Sequence, residues 1–534
     1  MQDLIQTMSL EEQIGQILMV GFMGPVCTPE LRALIEQRQV GNIILFSRNI
    51  QNPQQLLQLT QELQAIAREA GHRYPLLIAI DQENGMVNRL GQGSTLFPGN
   101  MALGATHSAR LAYEVALATG KELKALGINY NLAPVVDANN NPGNPVIGVR
   151  SFGEDPHEVG RMASAMVKGY REANVITSLK HFPGHGDTAT DSHLALPTVP
   201  HALDRLETIE LVPFREAIQA GADTVMVAHI NFPYFMSDPT IPSTVSREIV
   251  HGLLREKLGF QGVIITDCLE MQAITKTTGT EQGAVQALQA GNDLILVSHS
   301  YPRQQGSFEA LKQAIESGQI SREALQEAVQ HVLTLKASRL SWDDLPMHGV
   351  PELVGGPEHL ALSEQAYTES TTLYRNNENL IPLHLSPETR LLLITPVREL
   401  LTQTEDQHAE RNYFEEAIKP HHQRLQTIPL PAQPKPEEIQ EVLQAASSAD
   451  LIIMATTNTQ RYPKQTECIK ALIQTGKPVI GIAVRNPYDL LEFPELRTYL
   501  LTYEYTAPAI ESAVRVLFGE TTARGQLPVN LPGM

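Results

Sequence analysis

Eight short runs of apolar, largely β-branched residues recur along the first 340 positions, separated by stretches of helical periodicity. They are ILMVGF (17–22), NIILF (42–46), LLIAID (76–81), INYNLAP (128–134), ITSLKHF (176–182), TVMVAHI (224–230), GVIITD (262–267) and DLILVS (293–298). Parallel strands covered on both faces read as continuous apolar runs of this kind, because neither face meets water. Segments such as 53–71 and 211–222 have the amphipathic pattern of crossover helices. Eight strand–helix units in about 330 residues favour an α/β fold closed as a (β/α)8 TIM-type barrel over an open doubly wound sheet. The barrel is expected over residues 1–340.

Residues 341–357 hold three prolines and three glycines, the punctuation of a linker. Beyond it, TRLLLITP (389–396), LIIMAT (451–456), KPVIGIAV (477–484) and TYLLTY (498–503) alternate with helical stretches. They predict a smaller αβα sandwich domain over 358–534. Neither GxxxxGK[ST] nor GxGxxG occurs in the chain, which argues against nucleotide binding there. Long insertions, 82–110 and 136–155, follow the third and fourth strands.

Charge removes several classes of function. With 59 acidic residues against 40 Lys and Arg, the net charge is −19. A nucleic-acid surface needs cations to displace counterions, so no nucleic-acid partner is expected, nor an anionic membrane surface. Cys27, Cys268 and Cys468 lie far apart and form no CxxC pair, so they read as small buried apolar residues. No apolar run reaches the ~18 residues of a membrane span. The first residues lack a basic n-region and a cleavage site, which, with Met1 as the native start, predicts a cytoplasmic protein.

In barrel enzymes the reacting groups sit at the C-terminal ends of the strands and in the loops that follow. Those positions hold Asp81, Asp137, Lys180, His181, His229 and Asp267. A set of ionisable groups on one rim is hard to explain by packing, since each needs a partner or a ligand. The densest cluster is KHFPGHGDTATDSH (180–193), marked as a loop by Pro183, Gly184 and Gly186. It admits three readings: a polar surface loop, a metal site built from His181, His185, Asp187, Asp191 and His193, or a proton-transfer loop in which Asp191 orients His193. In GVIITDCLEM (262–271), Asp267 closes the seventh strand, either as a helix cap or as a nucleophile or stabiliser of a cationic transition state. DQENGMVNRL (81–90) brings Asp81 and Arg89 as a fork for hydroxyls or carboxylates, and NPVIGVRSFGEDP (144–156) brings Arg150 on a loop.

Together with MVAHINFP (226–233), and in this order, those motifs resemble the β-N-acetylhexosaminidases of glycoside hydrolase family 3. The resemblance spans the barrel and continues more weakly through TGKPVIGIAVRNPYDL (475–490) and GQLPVNLP (525–532). It implies that Asp267 is the nucleophile of a retaining exo-hydrolase, His193 the general acid/base and Asp191 its partner. It further implies that Asp81, Arg89, Arg150, Lys180 and His181 hold the sugar, with no cofactor and no metal. The implied substrate is a small oligosaccharide or muropeptide ending in β-linked N-acetylglucosamine. A phosphorylase with the same machinery and an inactive glycan-binding sensor are the alternatives. The chain departs from the family pattern at Asn84, where a glycine is usual; Asn tolerates the left-handed conformation, and its side chain there would adjoin the sugar pocket.

Overall fold

A computed structural model of the chain describes residues 1–192, 194–346, 349–397, 405–406 and 411–534. Strands form at all eight apolar runs: β1 (Leu18–Val20), β2 (Asn42–Leu45), β3 (Leu77–Ile80), β4 (Tyr130–Asn131), β5 (Ile176–Phe182), β6 (Thr224–Val227), β7 (Val263–Thr266) and β8 (Ile295–Val297). β1 to β7 pair in chain order, β8 pairs with β1, and all these pairings are parallel. One bridge, Ile265 to Leu294, closes the circle between β7 and the entry to β8. This is the barrel that the spacing predicts.

The crossover helices begin where the sequence supplies caps. Asn52 accepts the Gln55 N–H ahead of helix Pro53–Glu69, and Asp155 accepts the His157 and Glu158 N–H groups ahead of helix Pro156–Glu172. Each such cap is worth about 1 kcal/mol. Both helices carry proline in the first turn, where an N–H has no partner to lose. Helix Pro53–Glu69 turns Leu56, Leu59, Leu63 and Ile66 inward against Ile43, Leu45, Ile78 and Ile80 of β2 and β3. Each fully buried side chain of this size contributes roughly 1.5–3 kcal/mol.

One strand is shorter than its run and another fills its run completely. β4 is only two residues long, because Pro134 has no N–H to donate and the ladder resumes as a single bridge from Val135 to Lys180. β5 matches its run ITSLKHF residue for residue, so Lys180, His181 and Phe182, which also belong to the motif read as a loop, lie in the sheet. Its pairing with β6 shifts register between Leu179 and Phe182, next to the site.

A second sheet contains β9 (Thr372–Asn376), β10 (Leu391–Pro396), β11 (Leu425–Leu430), β12 (Leu451–Thr456), β13 (Val479–Ala483) and β14 (Thr498–Leu501), in the order β9-β14-β13-β12-β10-β11. Only the β9 pairing is antiparallel. One face packs on helices Pro436–Ser448 and Pro463–Gln474, the other on Tyr413–Ile418 and Ala507–Leu517, which makes an αβα sandwich.

The two insertions of the barrel are what this sandwich grips. Met101, Ala102, Ala105 and Val149 join Tyr488, Tyr499, Tyr503 and Leu531 in one apolar cluster. Gln526 N–H donates to Ala105 O at 2.8 Å, and Gly99 N–H donates to Glu504 at 3.0 Å. The Pro/Gly-rich connection is itself docked: Trp342 Nε1 donates to Arg73 O, and Val350 and Val354 pack on the β2–β3 side of the barrel.

Candidate active site

A cavity of about 620 Å³ opens at the C-terminal end of the barrel. Its wall takes side chains from the ends of β2, β3, β5, β7 and β8, from both insertions and from the second domain. All five sugar-binding candidates, Asp81, Arg89, Arg150, Lys180 and His181, line it, and so does Asp267. Residues spread over 187 sequence positions thus converge because parallel strands all end on one face.

The floor is a buried chain of charges. Lys180 Nζ stands 2.7 Å from Asp81 and 2.6 Å from Glu83. Arg150 grips Glu83 with two N–H groups of one edge, Nε and Nη2, each at 2.8 Å. Burial alone would push the Glu83 carboxyl up, but Arg150 and Lys180 outweigh it and hold it well below the usual carboxylate range. For Arg150, burial opposes the charge, and Glu83 reverses that and raises the guanidinium further. Glu83 was not singled out by the sequence, although it lies two residues from Asp81, on the same face of the extended segment.

His181 is oriented from behind. Its Nδ1 is 2.7 Å from Asp137, which also accepts the backbone N–H of His185 at 2.7 Å. Arg150 Nη2 lies 3.3 Å from Nε2. A guanidinium only donates, so in the neutral ring Nε2 accepts and the proton sits on Nδ1, toward Asp137. Asp137, although on the rim by sequence, is fully buried behind His181 and outside the cavity wall. Burial would raise its carboxyl, and His181 brings it below its ordinary value instead.

The loop after β5 sorts its polar residues into separate partnerships. His185 bonds Thr188 and Ser192, and burial beside His181 pushes its imidazole down to about 4. Asp187 turns to His201 at 2.7 Å. Among the described residues, no three His, Cys, Asp or Glu side chains gather as a ligand set. Asp191 is buried, while His193, the acid/base candidate, lies outside the described residues. His229, also read as a rim residue, is buried between Thr244 Oγ1 at 2.6 Å and Cys268 O at 2.9 Å, a strut joining the loops after β6 and β7.

Asp267 follows β7 directly, half-buried, and accepts the Cys268 N–H at 2.7 Å. Cys268 is buried beside Ser298, and burial pushes its thiol up to about 12, so it stays protonated and unreactive. Asn84 is left-handed at φ +69°, as the motif requires. Its side chain bonds Gln82 and Thr119, away from the cavity wall.

Besides Glu83, other lining groups carried no sequence signal, among them Arg48, Glu405 and Asp406. Arg48 stacks its guanidinium 4.2 Å over the Phe46 ring, on the β2 side. Glu405 and Asp406 reach the cavity from the second domain, which the motifs do not foretell. A cavity walled by charged groups, with the carboxylates of Asp81 and Asp267 at two strand ends and a ring of fixed donors and acceptors, suits a polyhydroxylated ligand.

Residues 9–335 match the N-terminal domain of glycosyl hydrolase family 3, and residues 371–533 match its C-terminal domain. Beta-hexosaminidase A of Pseudoalteromonas piscicida is 33% identical, over 94% of this chain and 91% of that protein. The solved family 3 β-N-acetylglucosaminidase of Paenibacillus sp. str. FPU-7 superposes with a TM-score of 0.91 at 41% identity, covering 98% of this chain and 99% of its own. A fungal multi-domain β-N-acetylglucosaminidase superposes at 0.93 and 44% identity; this chain, 98% covered, spans 61% of that longer one. The two domain matches and the relative over most of its length show that the chain belongs to glycoside hydrolase family 3.

Proposed function

We propose that the protein is a retaining exo-β-N-acetylglucosaminidase, releasing terminal, non-reducing β-linked N-acetylglucosamine from small oligosaccharides of chitin or cell-wall type. The observation that carries this reading is the cavity in which Asp267 shares a wall with Asp81, Arg89, Arg150, Lys180 and His181. The relatives named above support the acetamido sugar as the ligand.

In the mechanism, Asp267 attacks the anomeric carbon while His193 gives its proton to the leaving glycosidic oxygen, and that carbon–oxygen bond breaks. A covalent glycosyl–Asp267 ester and a free alcohol result. His193, now the base, takes a proton from water as its oxygen attacks the same carbon, releasing Asp267 with retention. Asp191, two residues before His193, fixes the tautomer and tunes the imidazole. Asp81, Arg89, Arg150, Lys180 and His181 hold the sugar so that the reacting atoms meet.

The test is turnover of an aryl β-N-acetylglucosaminide beside the matching β-glucoside, with and without millimolar phosphate. Free N-acetylglucosamine from the first substrate, at a rate indifferent to phosphate, is expected; release of a sugar phosphate or preference for the glucoside overturns the reading. Asp267→Ala should lower kcat by at least ~10³-fold. His193→Ala should slow alkyl glycosides far more than aryl ones, whose leaving groups need little protonation, and equal losses would remove His193 from the acid role.

A further inference from the structure

We propose that Asp406, a residue of the second domain, positions Arg89 in the sugar site, so that the barrel alone does not form a complete substrate pocket. The inference rests on the glycosidase reading above, and adds to it the domain that completes the pocket and the residue through which it does so.

Among the described residues, the donors that hold the Asp406 carboxylate belong to the barrel. Arg89 Nη1 lies 2.8 Å from Oδ1, which also accepts the Ser47 hydroxyl; the Asn88 N–H donates to Oδ2 at 2.9 Å. Ser47 stands after β2, and Asn88 and Arg89 close the hairpin after β3. One second-domain carboxylate therefore ties two barrel loops together at the cavity wall. The residue beside it is tied the other way: Glu405 pairs with Arg485, just beyond the end of β13 in the second domain. Consecutive side chains thus grip opposite domains, and both line the cavity.

Holding the structure together is a poor explanation for the inner pair. Arg89 and Asp406 are 8% and 4% exposed, and a buried ion pair returns little beyond the cost of desolvating it. The domains already share an apolar cluster elsewhere. What the pair does supply is direction. A guanidinium has five N–H groups in a rigid fork, and a carboxylate on one edge leaves the others aimed in a fixed plane. Arg89 lines the cavity, so that plane is presented to the ligand. Sugar hydroxyls are bound tightly only by donors held in place beforehand.

The experiment uses the full chain and a double-mutant cycle of Asp406→Ala and Arg89→Ala, with kcat and KM for the aryl β-N-acetylglucosaminide and its 4-deoxy and 6-deoxy analogues. Asp406→Ala should raise KM about tenfold, as losing a charge-assisted hydrogen bond does, with kcat within about threefold. The penalty for removing one of the two hydroxyls should shrink in the variant, and Asp406→Ala should add less than about twofold to Arg89→Ala. Wild-type KM in Asp406→Ala, multiplicative losses in the cycle, or an unchanged deoxy penalty overturns the proposal. If Asp406→Ala loses its melting transition, Asp406→Asn, which keeps the shape and an acceptor oxygen, carries the same comparison. The cycle repeated on equilibrium binding of N-acetylglucosamine separates this question from turnover: loss of wild-type turnover alone counts against the glycosidase reading, whereas independent effects on binding count against Asp406.

Discussion

Glu83 shows how much one unheralded side chain can carry. It holds Arg150 and Lys180 together at the cavity floor, and both point toward the ligand space. Its carboxyl titrates lower folded than unfolded, so its stabilising contribution is full above pH ~4.5 and drains away as pH falls toward the folded value. Glu83→Gln leaves two buried cations short of one charge, and should cost about 3–5 kcal/mol by urea unfolding at pH 7. The same variant should raise KM, since Lys180 and Arg150 lose their fixed positions; unchanged unfolding at pH 7 would remove Glu83 from this role. The sequence yields Asp81 because it closes a strand, and Arg89 because it ends the motif; Glu83, inside the motif, looks like hairpin polarity. Asp406 is harder still to read, since every bond it makes to the barrel spans more than 300 positions and nothing in its own segment signals them.

Among the elements, the hairpin after β3 sets the position of three cavity residues: Asp81 before it, Glu83 within it and Arg89 after it. Its turn needs two left-handed residues, Asn84 at φ +69° and Gly85 at +60°. Asn84→Gly should therefore fold with a change within ~2 kcal/mol, losing the bonds to Gln82 and Thr119 but relieving the backbone. Because the Asn84 side chain faces Thr119, KM should stay within about twofold, and a larger change would return this side chain to the pocket wall. Gly85 tolerates no such exchange: an added Cβ would meet Gly99 Cα at 2.7 Å, where the second domain docks. All eight barrel strands were legible because each is buried on both faces. In the second sheet, β10, β12, β13 and β14 were legible for the same reason. The edges β9 (TLYRN) and β11 (LQTIPL) were not, because one flank is open, most of their residues are partly exposed, and no continuous apolar run results.

At the scale of the whole molecule, the joint between barrel and sandwich contains a carboxyl that, among the described residues, is held by neutral donors. Glu504 accepts hydrogen bonds from the Tyr367 and Thr506 hydroxyls and from the Gly99 N–H, where the first barrel insertion enters the second domain. A narrow gap separates it from Glu83 and Arg150, whose charges compensate one another. Burial outweighs the three donors and pushes the Glu504 carboxyl up to about 7. A carboxyl raised on folding stabilises fully below its unfolded value and loses that contribution as pH rises through the folded one. A rise from 4.5 to about 7 corresponds to roughly 3 kcal/mol, lost between about pH 4.5 and pH 7. Glu504→Gln mimics the protonated form, since its amide nitrogen can face the two hydroxyls and its oxygen the Gly99 N–H. Measured against this variant, the wild-type protein should melt equally at pH 4.5 and a few degrees lower at pH 8. The difference isolates Glu504 from His185, whose lowered imidazole acts in the opposite sense by destabilising the fold as pH falls below 6.5. Melting curves for the two proteins that run parallel from pH 4.5 to 8 would mean that Glu504 stays charged, and that the domain joint has no pH dependence of its own.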